Sequence, residues 1–123
     1  MTTGGGIMNA TSLDITTEGG SSAAIRSDRG GGTVTVNGGS YTTSGKGSPA
    51  IYSTANITVS DATLESQTAQ GIVIEGLNSV TLNDCDLTAD HNTFNGQDTS
   101  YQGVMIYQSN SGDASDGKGT FKM

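Results

Sequence analysis

Cysteine is almost absent from this 123-residue chain: Cys85 stands alone, so no disulfide can form within it. Proline occurs once, histidine once and tryptophan not at all. Positive charge is scarce, with 5 Lys and Arg against 12 Asp and Glu, for a net charge of −7. That balance excludes a nucleic-acid partner, which needs cations to displace counterions, and it disfavours an anionic membrane surface. Membrane insertion is not expected either, because no apolar run approaches the ~18 residues of a spanning helix. A 3.6-residue periodicity is missing throughout, so helices are not expected. Hydrophobic residues other than glycine make up only 32%, while glycine takes 19 of the 123 positions. The opening Met-Thr-Thr-Gly-Gly-Gly has neither the basic nor the apolar segment of a secretory leader.

What is present is a repeat. Thr33 to Thr43 (TVTVNGGSYTT), Asn56 to Ser66 (NITVSDATLES) and Ser79 to Ala89 (SVTLNDCDLTA) superimpose without gaps. Val36, Val59 and Leu82 recur every 23 residues, and so do Tyr41, Leu64 and Leu87. Met8 and Leu13 are read as the equivalents of those two positions at the start of the chain. At its end Thr120–Met123 matches Thr33–Val36. A second element precedes each copy: Ala24–Ser27, Ala50–Ser53, Gly71–Ile74 and Gly103–Ile106.

Within each copy apolar and polar residues alternate, which is strand behaviour. A coil of about 20–25 residues with such thin apolar stripes buries nothing alone, whereas stacking like on like builds a continuous core. The expected fold is therefore an all-β, single-stranded parallel β-solenoid of about four coils, each with three short strands. Its hand is expected to be right-handed, as parallel crossovers favour. Residues 1–123 form one module, read as a fragment of, or a subunit in, a longer solenoid. The expected core is Met8, Leu13, Ile25, Val34, Val36, Tyr41, Ile51, Ile57, Val59, Leu64, Ile72, Ile74, Val80, Leu82, Cys85, Leu87, Val104, Ile106, Phe121 and Met123. Asn9, Asn37, Ser60 and Asn83 are aligned at a corner, followed by the small Thr11, Gly39, Ala62 and Cys85, which makes Cys85 a packing residue.

The motifs TVTVNGGSYTT, NITVSDATLES, SVTLNDCDLTA and GKGTFKM resemble the right-handed parallel β-helix repeat family, a likeness that covers most of residues 7–123. The closest likeness is to adhesin-like surface-protein repeats of Gram-positive gut bacteria, within the pectate-lyase-like superfold. The resemblance implies an extracellular or cell-surface location. It leaves function open, because that scaffold hosts pectin-degrading enzymes, adhesins, tail spikes and sugar-binding modules.

Insertions at Glu18–Ser22, Asp28–Gly32, Ser44–Pro49, Asp90–Gln102 and Ser109–Gly119 break the period. Such loops commonly carry a solenoid's contacts. For glycan binding, Arg26, Tyr52, Val73 and Met105 form an expected outward ladder, with Tyr101 and Tyr107 flanking its last rung. The competing reading is an ordinary scatter of exposed apolar residues. For Ca²⁺, Asp84, Asp86, Asp90 and Asp98 are the candidate ligands and Asp113 with Asp116 a second pair, although no calcium-loop motif is present and solvated turn carboxylates are the better explanation.

No catalytic site is expected. The resembling lyases use an Arg or Lys base with Ca²⁺ or Asp partners, and only Arg26 and Arg29 offer an arginine here; His91 is read as a surface residue. The expectation is a non-catalytic scaffold that contacts glycan and associates head to tail. The alternatives are a fragment of an acidic-polysaccharide lyase or hydrolase, and an ice-binding solenoid built on Thr35, Thr58 and Thr81.

Overall fold

A computed structural model describes residues 1–90, 103–108 and 114–123, together with the strand positions of Thr93–Phe94 and Gln97–Asp98. The strands are β1 (Thr2–Thr3), β2 (Ile7–Thr17), β3 (Ile25–Asp28), β4 (Thr33–Thr43), β5 (Ile51–Ser53), β6 (Asn56–Ser66) and β7 (Ile72–Glu75). They continue with β8 (Ser79–Asn83), β9 (Asp86–Ala89), β10 (Thr93–Phe94), β11 (Gln97–Asp98), β12 (Val104–Tyr107) and β13 (Thr120–Lys122). Among the described residues there is no helix.

Two parallel sheets wind through the stack. One has the order β1-β3-β5-β7-β12 and the other β13-β8-β6-β4-β2, with β9 also on β6. Each coil thus runs along the long sheet, turns a corner within it, and returns through the short sheet. The result is a parallel β-solenoid of about four turns. The β10–β11 pair is an antiparallel excursion inside the Asp90–Gln102 insertion.

Side-chain columns follow from the register. Met8, Val34, Ile57, Val80 and Phe121 stack through the long sheet. Ala10, Val36, Val59 and Leu82 form the next column, and Ile15, Tyr41, Leu64 and Leu87 the one beyond the corner. Ile25, Ile51, Ile72 and Val104 face them from the short sheet. The middle of each column is fully buried, because only there does a coil lie on both sides.

Three expectations about the core and register are corrected. Leu13, Ile106 and Met123 are exposed, since each lies in a coil covered on one side only. The first coil is shifted by two: Met8 stands with Val34 and Ala10 with Val36, while Leu13 meets Gly39 and Ile15 meets Tyr41. Asn9 accordingly pairs with Thr35, and it is Thr11 that pairs with Asn37. Alternation keeps its phase under a shift of two, so Met8 and Leu13 looked acceptable at either register.

The corner has its own column, set one residue after the aligned Asn37, Ser60 and Asn83. Ser12, Gly38, Asp61 and Asp84 all have positive φ, at 53, 74, 54 and 53°. Short polar residues tolerate this left-handed conformation better than other side chains do. The following position turns inward. A Cβ on Gly39 would strike the Leu13 carbonyl oxygen and come within 3.0 Å of the Tyr41 hydroxyl. Tyr41 reaches under the corner to donate to the Gly38 carbonyl at 2.9 Å. The Leu13 backbone and a φ of 106° therefore require glycine at position 39, where the next two coils carry Ala62 and Cys85.

Candidate functional site

The outward ladder forms in register. Arg26 pairs with Tyr52, Tyr52 with Val73 and Val73 with Met105. Tyr107 stands beside it, level with Glu75. The rungs are not equally accessible: Arg26, Tyr52, Met105 and Tyr107 are half-buried, but Val73 is fully buried. Tyr101 lies outside the described residues.

Tyr52 is the hub. The Arg26 guanidinium carbon sits 5.2 Å from its ring centroid, a cation–π stack. Its hydroxyl donates to Glu75 Oε2 at 2.7 Å and lies 3.0 Å from the Tyr107 hydroxyl, which donates to the same carboxylate oxygen at 3.3 Å. Burial, followed by its bonds with Tyr107 and Glu75, pushes the Tyr52 hydroxyl far above the ordinary tyrosine value. Arg26 is also held from both sides, donating to the Ser21 carbonyl at 3.0 Å and to Asp28 Oδ2 at 3.3 Å.

Beside this stack is a niche of about 90 Å³ lined by Ser21, Ala23, Arg26, Gly47, Pro49 and Tyr52. The Arg26 Nε–H is buried without a hydrogen-bond partner. Two insertions, 18–22 and 44–49, supply its far wall. They are pinned together from inside the coil: Ser48 donates to the Gly19 carbonyl and accepts from the Ser22 N–H, both at 2.9 Å. Thr17 and Thr43 each donate, at 2.5 Å, to the carbonyl of the serine five residues on. These hydroxyls fix where the loops leave the barrel, so the niche rests on ordered backbone.

The sequence reading found Arg26 and Tyr52 but missed Glu75, Asp28 and the loop residues. Glu75 was within reach of the same reasoning, since it lies two residues beyond Val73 and so on the same face. The loop wall depends on cross-coil bonds that no periodicity reports.

The other candidates stay apart. Arg29 is exposed in a turn at φ 56°. Asp84 occupies the left-handed corner, while Asp86 and Asp90 are exposed beyond it. Among the described residues no three His, Cys, Asp or Glu side chains gather as a metal site requires. His91, Asp113 and the side chain of Asp98 lie outside the described residues. Cys85 is half-buried and donates to the Val59 carbonyl at 3.4 Å. Thr35, Thr58 and Thr81 do form one outward column. A larger concavity of about 340 Å³, lined by Ile106, Tyr107, Gln108 and Gly117–Gly119, opens at the β12 edge.

Comparison of the chain with protein-family models, with curated proteins and with solved structures finds no match.

Proposed function

We propose that this chain is a non-catalytic extracellular or cell-surface scaffold of the right-handed β-helix repeat type, contacting glycan through the Arg26–Tyr52 niche. The observation that carries the reading is the niche itself: an aromatic ring, a stacked guanidinium and an apolar Pro49 wall in one concavity beside the short sheet. Sugars present apolar C–H faces and hydroxyls together, and such a mixed wall serves both. The volume suits a single projecting sugar substituent, with the rest of the chain lying outside. Arg26 acts as a fixed structural cation in this reading; its bonds to Ser21 and Asp28 leave it poorly placed as a base.

A glycan array with the wild-type chain and Tyr52→Ala tests the proposal. Binding that the substitution abolishes is expected. An array on which Tyr52→Ala abolishes the binding of no glycan, or no binding at all, overturns the niche. A polygalacturonate cleavage assay tests the enzyme alternative, and turnover would overturn the non-catalytic reading.

A further inference from the structure

The outer face of the long sheet before the corner carries three polar columns. Thr33, Asn56, Ser79 and Thr120 form the first. Asn9, Thr35, Thr58 and Thr81 form the second, and Thr11, Asn37, Ser60 and Asn83 the third. None of the 12 acidic residues stands in these columns, although the chain carries a net charge of −7. The acids begin at the corner with Asp61 and Asp84 and continue past it with Asp14, Glu65 and Asp86. Ile7 and Lys122 close the two ends of the face.

Its polar groups also bond to one another between coils. Ser79 donates to Asn56 Oδ1 at 3.0 Å, and Asn83 Nδ2 donates to the Ser60 hydroxyl at 3.4 Å. Side chains satisfied in this way lose less when water is displaced. At about 4.8 Å per coil and about 6.7 Å per alternate residue, the face measures roughly 19 by 13 Å. That is the footprint of a few sugar rings laid along the stack, and too narrow for a broad solid surface.

We infer that this face is a second binding surface, separate from the Arg26–Tyr52 niche, and that its occupant is a single chain of uncharged polysaccharide. An acidic polymer gains nothing here, because the face offers no cation except Lys122 at its end and acids border it at the corner. A basic partner is drawn to those acids instead. A neutral polymer meets neither penalty and finds hydroxyl, amide and methyl groups repeating along its length. An ice lattice demands one repeated side chain, and Asn56 and Ser79 interrupt the threonine pattern.

The test is retention of the 123-residue chain by beads carrying single chains of hydroxyethylcellulose, glycol chitin or soluble starch, with polygalacturonate beads as the acidic control. Thr58→Lys charges the centre of the face, Asn56→Lys is a second charge at an exposed position, and Thr58→Val keeps the β-branched shape. The expected result is retention on a neutral polymer that changes less than about twofold between low and high salt, because no charge is there to screen. Either lysine variant should lower it about tenfold or more with circular dichroism unchanged, and Tyr52→Ala should leave it intact. Retention only on polygalacturonate, no retention, or retention indifferent to both lysines overturns the inference. So does a lysine effect seen only on self-association or on ice-crystal growth. Loss through Tyr52→Ala alone assigns the contact to the niche and overturns the second surface, whereas intact neutral retention with a silent niche spares it.

Discussion

The first two coils and the last two solve the same packing problem with different chemistry. In the short sheet one inward column reads Ser27, Ser53, Ile74 and Ile106, passing from hydroxyl to aliphatic along the stack. The column that ends each long-sheet strand reads Thr17, Thr43, Ser66 and Ala89, with the same trend. Charge divides likewise. Residues 1–55 hold three acids and three cations, whereas residues 56–123 hold nine acids and two lysines. A parallel ladder thus accepts either filling, provided each buried hydroxyl has a backbone partner. Two early-coil serines meet that condition: Ser27 accepts from the Thr54 N–H at 2.8 Å, and Ser53 donates to the Ala55 carbonyl at 2.5 Å, whereas the Thr2 hydroxyl at the end of the column has no partner.

Transplanting one filling into the other half tests this most severely. Ile74→Ser puts an early-coil side chain into a late coil, where it removes a fully buried aliphatic group from between neighbours. The expected loss is about 3–5 kcal/mol, combining a cavity with a hydroxyl that has no prepared partner. Urea denaturation with an unchanged slope would measure it. A cost below about 1 kcal/mol would mean the late coils have room to satisfy a serine, and the contrast between the halves would collapse.

The reverse deletion is expected to cost less. Ser53→Ala keeps the volume nearly constant but leaves the Ala55 N–H and carbonyl without the hydroxyl they share. A loss of about 1–3 kcal/mol follows from unsatisfied buried backbone. The same denaturation experiment reads it, and a neutral or stabilising result would show that the interior serines are only space-fillers.

These hydroxyl columns also mark where the sequence stops being legible. The columns of Val34, Ile57 and Val80 were readable because three gapless copies fix one register. The first coil was not, since Met8, Ala10, Leu13 and Ile15 give the same alternation at either of two alignments. The left-handed corner was hidden because serine, glycine and aspartate share no hydropathy, only a tolerance for positive φ. Of the candidate site, Arg26 and Tyr52 followed from strand period. The Ser48 bonds that set the niche wall depend on loop conformation, and alternation carries no information about that.

Titration probes the early half more gently. Burial raises the hydroxyls of both Tyr41 and Tyr52 above the ordinary value of 10.0. Each holds its proton more tightly folded than unfolded, so their contribution is intact below about pH 10 and declines as pH rises beyond it. Thermal melts at rising alkaline pH should show that decline, and Tyr52→Phe should flatten it in part. The remaining slope belongs to Tyr41, in the core between Ile15 and Leu64. An unchanged slope in Tyr52→Phe would mean that Tyr52 does not report folding at all.

The smallest expected effect concerns the open strand edges of this chain, along β2 at one end of the long sheet and β13 at the other. We propose that they pair head to tail in solution. Such a contact puts Met8 of one copy over Phe121 of the next and Ala10 over Met123, which is 66% exposed, with Leu13 three residues further along the same edge strand. It also joins the charge-balanced half, residues 1–55, to the acid-rich half, residues 56–123, so repulsion between copies is weaker than a net charge of −7 suggests. Contacts between two acid-rich halves lack that relief. The expectation is therefore directional: sedimentation should show weak self-association that rises only modestly with salt, and Leu13→Asp should reduce it by placing a charge at the joint. A steep rise with ionic strength would mean that like ends are meeting. A monomer at high concentration and high salt would show that the edges do not recognise one another.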